Sequence, residues 1–118
     1  MRIILFRGSE VPVEPWQPEP DRVVVAGAKG GTQNLYESGD GRVYAGIWHA
    51  TRGAWRVTYD EMEYCHITKG RARLTALDGE VTEVQAGDGF VIPNGFEGVW
   101  DVLEDMEKHY VIVLPLQL

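Results

Sequence analysis

Residues 87–95 constrain the chain more tightly than any other stretch. Gly87-Asp88 and Pro93-Asn94-Gly95 are turn sequences flanking the apolar run Phe90-Val91-Ile92. Glycine supplies positive φ, aspartate bonds its own neighbouring backbone, and proline presets φ near −65°. Only a strand of about five residues fits between two such turns. An apolar pattern resumes at Gly98-Val99-Trp100. Short strands separated by tight turns belong to a small β-barrel or sandwich.

The same grammar recurs along the chain. Strands are expected at residues 43–48, 55–59, 63–68, 71–77, 81–84, 90–92, 98–103 and 108–114, with shorter ones at 2–6 and 22–26. In 71–77, Ala72, Leu74 and Ala76 share one face while Arg71, Arg73 and Thr75 share the other, as a half-buried strand requires. Asp78-Gly79 signals a hairpin. A two-residue loop would set Leu74 opposite Glu83, which mismatches the faces, so a longer loop or a bulge is expected. Residues 103–108 have room for one helical turn, but no segment sustains a helical period. The expectation is an all-β domain of about nine to eleven strands.

The N-terminal part has a different texture. Pro12, Pro15, Pro18 and Pro20 crowd residues 11–20. Such a segment cannot enter a helix or a sheet interior and should run extended over the surface, either as a strap that lays Trp16 on the core or as an arm docking on a partner. Residues 22–26 read as a buried strand, and 27–41 as a glycine-rich loop. Ala28-Lys29-Gly30-Gly31-Thr32 lacks the spacer and the following helix of a phosphate-binding loop. The chain divides into an arm and loop over 1–42 and a barrel core over 43–114, in a single domain spanning 1–118.

A net charge of −7 and a pI near 4.8 argue against nucleic acid or an anionic membrane as partner. The lone Cys65 excludes an internal disulfide and a multi-cysteine zinc site, and fits a reducing compartment. The N-terminal run Ile3-Ile4-Leu5-Phe6 is too short for a signal peptide. A cytoplasmic location is expected.

Two glycine-framed segments carry a resemblance. Six residues separate Glu63 from Gly70, and five separate Gly87 from Pro93-Asn94-Gly95. This two-part pattern resembles the cupin superfamily. It is most similar to small single-domain cupins related to (S)-ureidoglycine aminohydrolase, through Glu63, Ala86-Gly87-Asp88, Pro93-Asn94-Gly95-Phe96, Trp100, Glu104 and Lys108-His109-Tyr110. The resemblance implies a cupin-type double-stranded β-helix, a jelly-roll barrel.

It also implies where a metal would sit. Metal-bearing cupins supply His-x-His three or four residues before the Glu, and a further His three positions after the second-motif Gly. Those positions hold Val57 and Tyr59 (or Arg56 and Thr58) and Gly98, leaving Glu63 alone. One carboxylate cannot hold a transition metal that wants three or four ligands. His49 falls at a strand end, and His66 and His109 fall on the face opposite Glu63 and Lys108. No metal or other cofactor is therefore expected.

Strand parity then turns Glu63 and Cys65 inward, with Tyr59, Trp100, Lys108 and Tyr110. A carboxylate inside a barrel needs a partner, which Lys108 or Arg56 can supply. Arg56, Tyr59, Glu63, Cys65, Trp100, Lys108 and Tyr110 are the candidate ligand-binding residues, with Glu63 or Tyr59 placed to move a proton. Cys65 reads as a buried small hydrophobe rather than a nucleophile. The expected function is binding of a small polar or carboxylate-bearing molecule, catalysis being left open. The alternatives are a metal-dependent enzyme resembling ureidoglycine aminohydrolase or sugar-modifying cupins, and a non-catalytic dimerising module. A homodimer is expected on each.

Overall fold

Alternation in the sequence becomes the two faces of a curled antiparallel sheet. The computed structural model describes residues 1–116, so Gln117 and Leu118 lie outside the described residues. Its strands are β1 (Glu14–Trp16), β2 (Val23–Val25), β3 (Gly30–Glu37), β4 (Val43–Ala50), β5 (Gly53–Thr58), β6 (Met62–Ala76), β7 (Val81–Gln85), β8 (Gly89–Ile92) and β9 (Glu97–Val113), with a 3-10 turn at Pro20–Arg22. The order β1-β3-β4-β9-β5-β2 forms one path, and β6 pairs with β7, β8 and β9. The expected all-β barrel is the fold. No helix among the described residues is long and apolar enough to cross a membrane.

Two long strands bind the barrel together, where four shorter ones were expected. Residues 63–68 and 71–76 lie in β6, and residues 98–103 and 108–113 meet in β9, including the stretch given room for a helical turn; Leu77 and Leu114 fall just past the strand ends. Buried residues continue at period 2 from Trp100 and Val102 through Met106 to Lys108 and Tyr110, with one irregularity at 103–105. Its partner is Gly70, where the β6–β9 register shifts. Gly70 has φ +85°, and a Cβ there would run into the Asp105 carbonyl. The glycine that reads locally as a turn therefore makes a bulge, which bends both strands without ending them.

The hairpin at Asp78-Gly79 has the longer loop that face matching demanded. The Ala76 carbonyl accepts from the Gly79 N–H at 2.9 Å, and Ala76 N–H donates to Glu80 at 2.9 Å. Gly79 sits at φ +92°, as in a three-residue loop closed by a glycine bulge. Ala72 then faces Val84, Leu74 faces Thr82, and Arg73 faces Glu83, to which it is bonded at 2.7 Å.

The N-terminal part departs from expectation. Residues 2–6 form no strand; Phe6 instead rests against His109 with ring centroids 4.9 Å apart. Val23–Val25 is a strand but an edge one, and Val24 and Val25 are exposed rather than buried. The glycine-rich segment is not a plain loop, because Gly30–Glu37 forms β3 against β4. A Cβ on Gly30 would strike the His49 carbonyl, so this glycine serves close strand approach rather than loop freedom. The proline-rich segment does run over the surface, and Glu14–Trp16 adds an edge strand to β3.

Trp16 covers the core as a strap would. Its ring meets Trp48 and Trp55 edge-on, each at 4.9 Å. Such aromatic pairs add about 0.5–1.5 kcal/mol each beyond the area they bury. Beneath lie Trp100, Ile67, Val102 and Cys65, the largest side chains withdrawn almost completely from solvent. Among the described residues, only Glu63 and Lys108 are buried charged groups.

Candidate functional site

The second turn of the opening stretch holds the site in place. Gly95 N–H donates to the Tyr59 carbonyl at 2.6 Å, and Tyr59 N–H donates to the Phe96 carbonyl at 2.9 Å. Tyr59, just past the end of β5, is thereby fixed over the start of β6. Period 2 in β6 turns Glu63, Cys65 and Ile67 inward, and all three are buried. In β9 the same period turns Trp100, Lys108 and Tyr110 inward. The register sets Lys108 opposite Ile67, and Tyr110 opposite Cys65. From there the lysine chain reaches back along β6 to Glu63.

The result is a connected polar network. Lys108 Nζ donates to Glu63 Oε2 at 2.9 Å. Tyr59 O–H donates to Glu63 Oε1 at 2.8 Å and accepts from Trp100 Nε1 at 3.0 Å. Lys108 Nζ also lies 3.7 Å from Cys65 Sγ, and 4.8 and 4.7 Å from the ring centroids of Trp48 and Trp100. Those distances are within cation–π range. Both oxygens of Glu63 are thus engaged, as a buried carboxylate requires. Of the two cations expected as partner, Lys108 takes the role. Arg56 is exposed and donates instead to the Asp21 carbonyl at 2.6 Å.

Protons in this network are tightly held. Burial, then the Glu63 charge, keeps the Tyr59 phenol well above its ordinary range. Burial pushes the Cys65 thiol up to about 12, as expected of a packed rather than a nucleophilic cysteine. Burial works against the Lys108 ammonium, but the nearby Glu63 and Cys65 outweigh it and the lysine's pKa is raised. Tyr110, which donates to Asn34 Oδ1 at 2.8 Å, is likewise raised to about 12, by burial and then by Glu63.

Beside the network opens a cavity of about 720 Å³, within the usual size of a small-molecule site. Arg56, Tyr59, Glu63, Trp100, Lys108 and Tyr110 all line it. Cys65 does not: it lies behind Lys108, wholly buried, off the cavity wall. Trp16, Trp48 and Trp55 form a wall that was not singled out for the site. Trp55 shares the parity of Val57 and Tyr59 and was legible on that ground; Trp16 arrives from outside the barrel and was not. Asn34 and Arg22 also reach the cavity, from segments read as loop and as buried strand.

The residues at the centre do not suit a metal ion. Glu63 is already bridged by an ammonium and a phenol. Among the described residues no group of three or more His, Cys, Asp or Glu side chains is placed to hold one. His66 and His109 face one another across the outer side of the sheet, and His49 is exposed near the end of β4.

Residues 37–110 match the family model of the EutQ-like cupin domain. Solved structures of the same fold include the EutQ protein of Clostridium difficile, 18% identical with a TM-score of 0.64, over 73% of this chain and 63% of that one. A putative ethanolamine utilization protein from Salmonella typhimurium is 22% identical with a TM-score of 0.64, over 71% and 68%. A DUF861-family protein of unknown function from Pseudomonas syringae is 20% identical with a TM-score of 0.79, over 88% of this chain and 45% of that one. The chain thus spans less than two thirds of the Clostridium protein and under half of the Pseudomonas protein. No curated protein matches it.

Proposed function

The chain belongs to the EutQ-like cupin domain family, and from that premise we propose that it binds a small polar molecule in its barrel without a metal at the usual position. One observation carries the reading: Lys108 Nζ sits 2.9 Å from Glu63 inside the barrel, at the wall of a 720 Å³ cavity. The ammonium supplies the positive charge that Glu63 would otherwise seek from a metal. Binding is favoured over acid–base catalysis because Tyr59 is a reluctant acid that donates to Glu63, and both Glu63 oxygens are engaged. A hydrolase resembling ureidoglycine aminohydrolase would need metal ligands where this chain has Val57, Tyr59 and Gly98.

The test pairs elemental analysis of protein purified without chelator with a thermal-shift screen of organic acids, amines, amides and sugars. Metal well below one ion per chain, and a rise in Tm with at least one compound, is the expected result. Stoichiometric Mn, Ni, Zn or Fe overturns it. Unaltered affinity for that compound in Glu63→Gln would remove Glu63 from the binding role.

A further inference from the structure

We infer that the molecule taken by this cavity is a small carboxylate with a flat apolar body, its charged end held by Arg56 and Arg22 at the rim; this rests on the binding reading above. Each oxygen of Glu63, the innermost acceptor, already accepts one strong hydrogen bond. Asn34 has its Oδ1 occupied by the Tyr110 hydroxyl, which leaves its amide N–H groups to offer. The Asn34 amide and the third N–H of Lys108, which spends two on Glu63 and Cys65, thus remain as donors inside the cavity for an acceptor on the ligand.

The rim carries two arginines and two carboxylates, Glu19 and Glu61, so formal charge does not decide. Anchoring does. Arg56 Nη2 is fixed to the Asp21 carbonyl at 2.6 Å, and Arg22 Nη1 reaches the Arg56 carbonyl at 3.5 Å. A main-chain carbonyl holds the Arg56 guanidinium without neutralising it, Arg22 lies beside it, and neither arginine has a salt bridge among the described residues. Neither rim carboxylate side chain has a hydrogen-bond partner there. Donors already oriented lose less freedom on binding than side chains that must first be ordered, and the planar guanidinium fork matches a carboxylate in two parallel bonds. The indole wall of Trp16, Trp48 and Trp55 suits a planar apolar body rather than a polyol.

Three probes with the same phenyl body and different charge decide the matter: benzoate, benzamide and benzylammonium, titrated calorimetrically at neutral pH into the full chain. Benzoate should bind roughly tenfold to a hundredfold more tightly than benzamide, the range set by charge-assisted hydrogen bonds. Benzylammonium should bind more weakly than either. Arg56→Gln should remove most of the benzoate advantage and leave benzamide within about twofold. Benzamide or benzylammonium binding as tightly as benzoate overturns this inference while leaving the metal-free binding function standing. So does an unaltered benzoate affinity in Arg56→Gln, or failure of all three probes to bind folded protein. Only stoichiometric metal, or a wide screen without any binder, removes the function beneath it.

Discussion

Lys108→Met takes the ammonium out of the barrel and keeps most of the side chain's apolar length. At 2.9 Å from Glu63 and an effective dielectric near 20, the attraction lost is on the order of 6 kcal/mol. Contacts over the Trp48 and Trp100 rings add about 0.5–2 kcal/mol. Against this stands several kcal/mol for each desolvated ion, so the intact pair is close to break-even. The single variant recovers only the lysine's share and leaves the Glu63 carboxylate buried with Tyr59 as its one remaining partner. It should therefore lose about 3–5 kcal/mol, a large part of the ~5–15 kcal/mol a domain of this size possesses. At about 4 °C per kcal/mol, Tm falls by roughly 12–20 °C. Glu63→Leu combined with Lys108→Met removes both charges, and should recover all but about 1–3 kcal/mol, the remainder being the Tyr59 hydroxyl left without its acceptor. Urea unfolding at neutral pH with an unchanged m-value gives each corner of the cycle. A single variant within about 1 kcal/mol of wild type, or a double variant no better than the single, would refute a buried pair held by mutual neutralisation.

Alkaline pH should unfold the protein through the same groups. Tyr59, Cys65, Lys108 and Tyr110 all hold protons more tightly when folded, so their contribution is intact below the ordinary values of 9.0 for the thiol, 10.0 for the phenols and 10.5 for the amine. It is lost as pH rises toward the folded values, and a Tm that holds or climbs from about pH 9 to 11 contradicts this. Trp16→Ala removes the indole edge between Trp48 and Trp55 and should cost about 2 kcal/mol, less than the 3–5 of a fully buried tryptophan; an unchanged urea midpoint would show that the strap merely lies on the barrel. Gly70→Ala and Gly79→Ala both place alanine at positive φ, but only Gly70 faces a carbonyl and Gly79 faces open space. Gly79→Ala should cost about 1–2 kcal/mol and Gly70→Ala clearly more, so equal losses would remove the bulge account.

The sequence by itself determined the fold class, because alternation and turn residues are local properties. Ala72 and Leu74 against Arg71 and Arg73, the face conflict at Asp78-Gly79, and the turns around Phe90–Ile92 each dictated their own geometry. Inward parity also put Glu63, Trp100, Lys108 and Tyr110 on one surface before any contact was known. What could not be read locally is whether a glycine ends a strand or kinks it. Gly70 bends β6 because β9 continues opposite it, and the Gly27–Gly41 segment contains a strand because β4 offers a partner across Gly30. The site shows the same division. Glu63 needed a cation on grounds of desolvation alone, yet Lys108 and Arg56 were equal candidates in the sequence. The register of β6 on β9 chose Lys108 and set Cys65 behind the pair, while β5, paired with β9, left Arg56 at the rim, because pairing between distant strands is decided only when the whole barrel closes. The turn at Pro93-Asn94-Gly95 had its shape from sequence, and only tertiary structure gave it Tyr59 to hold.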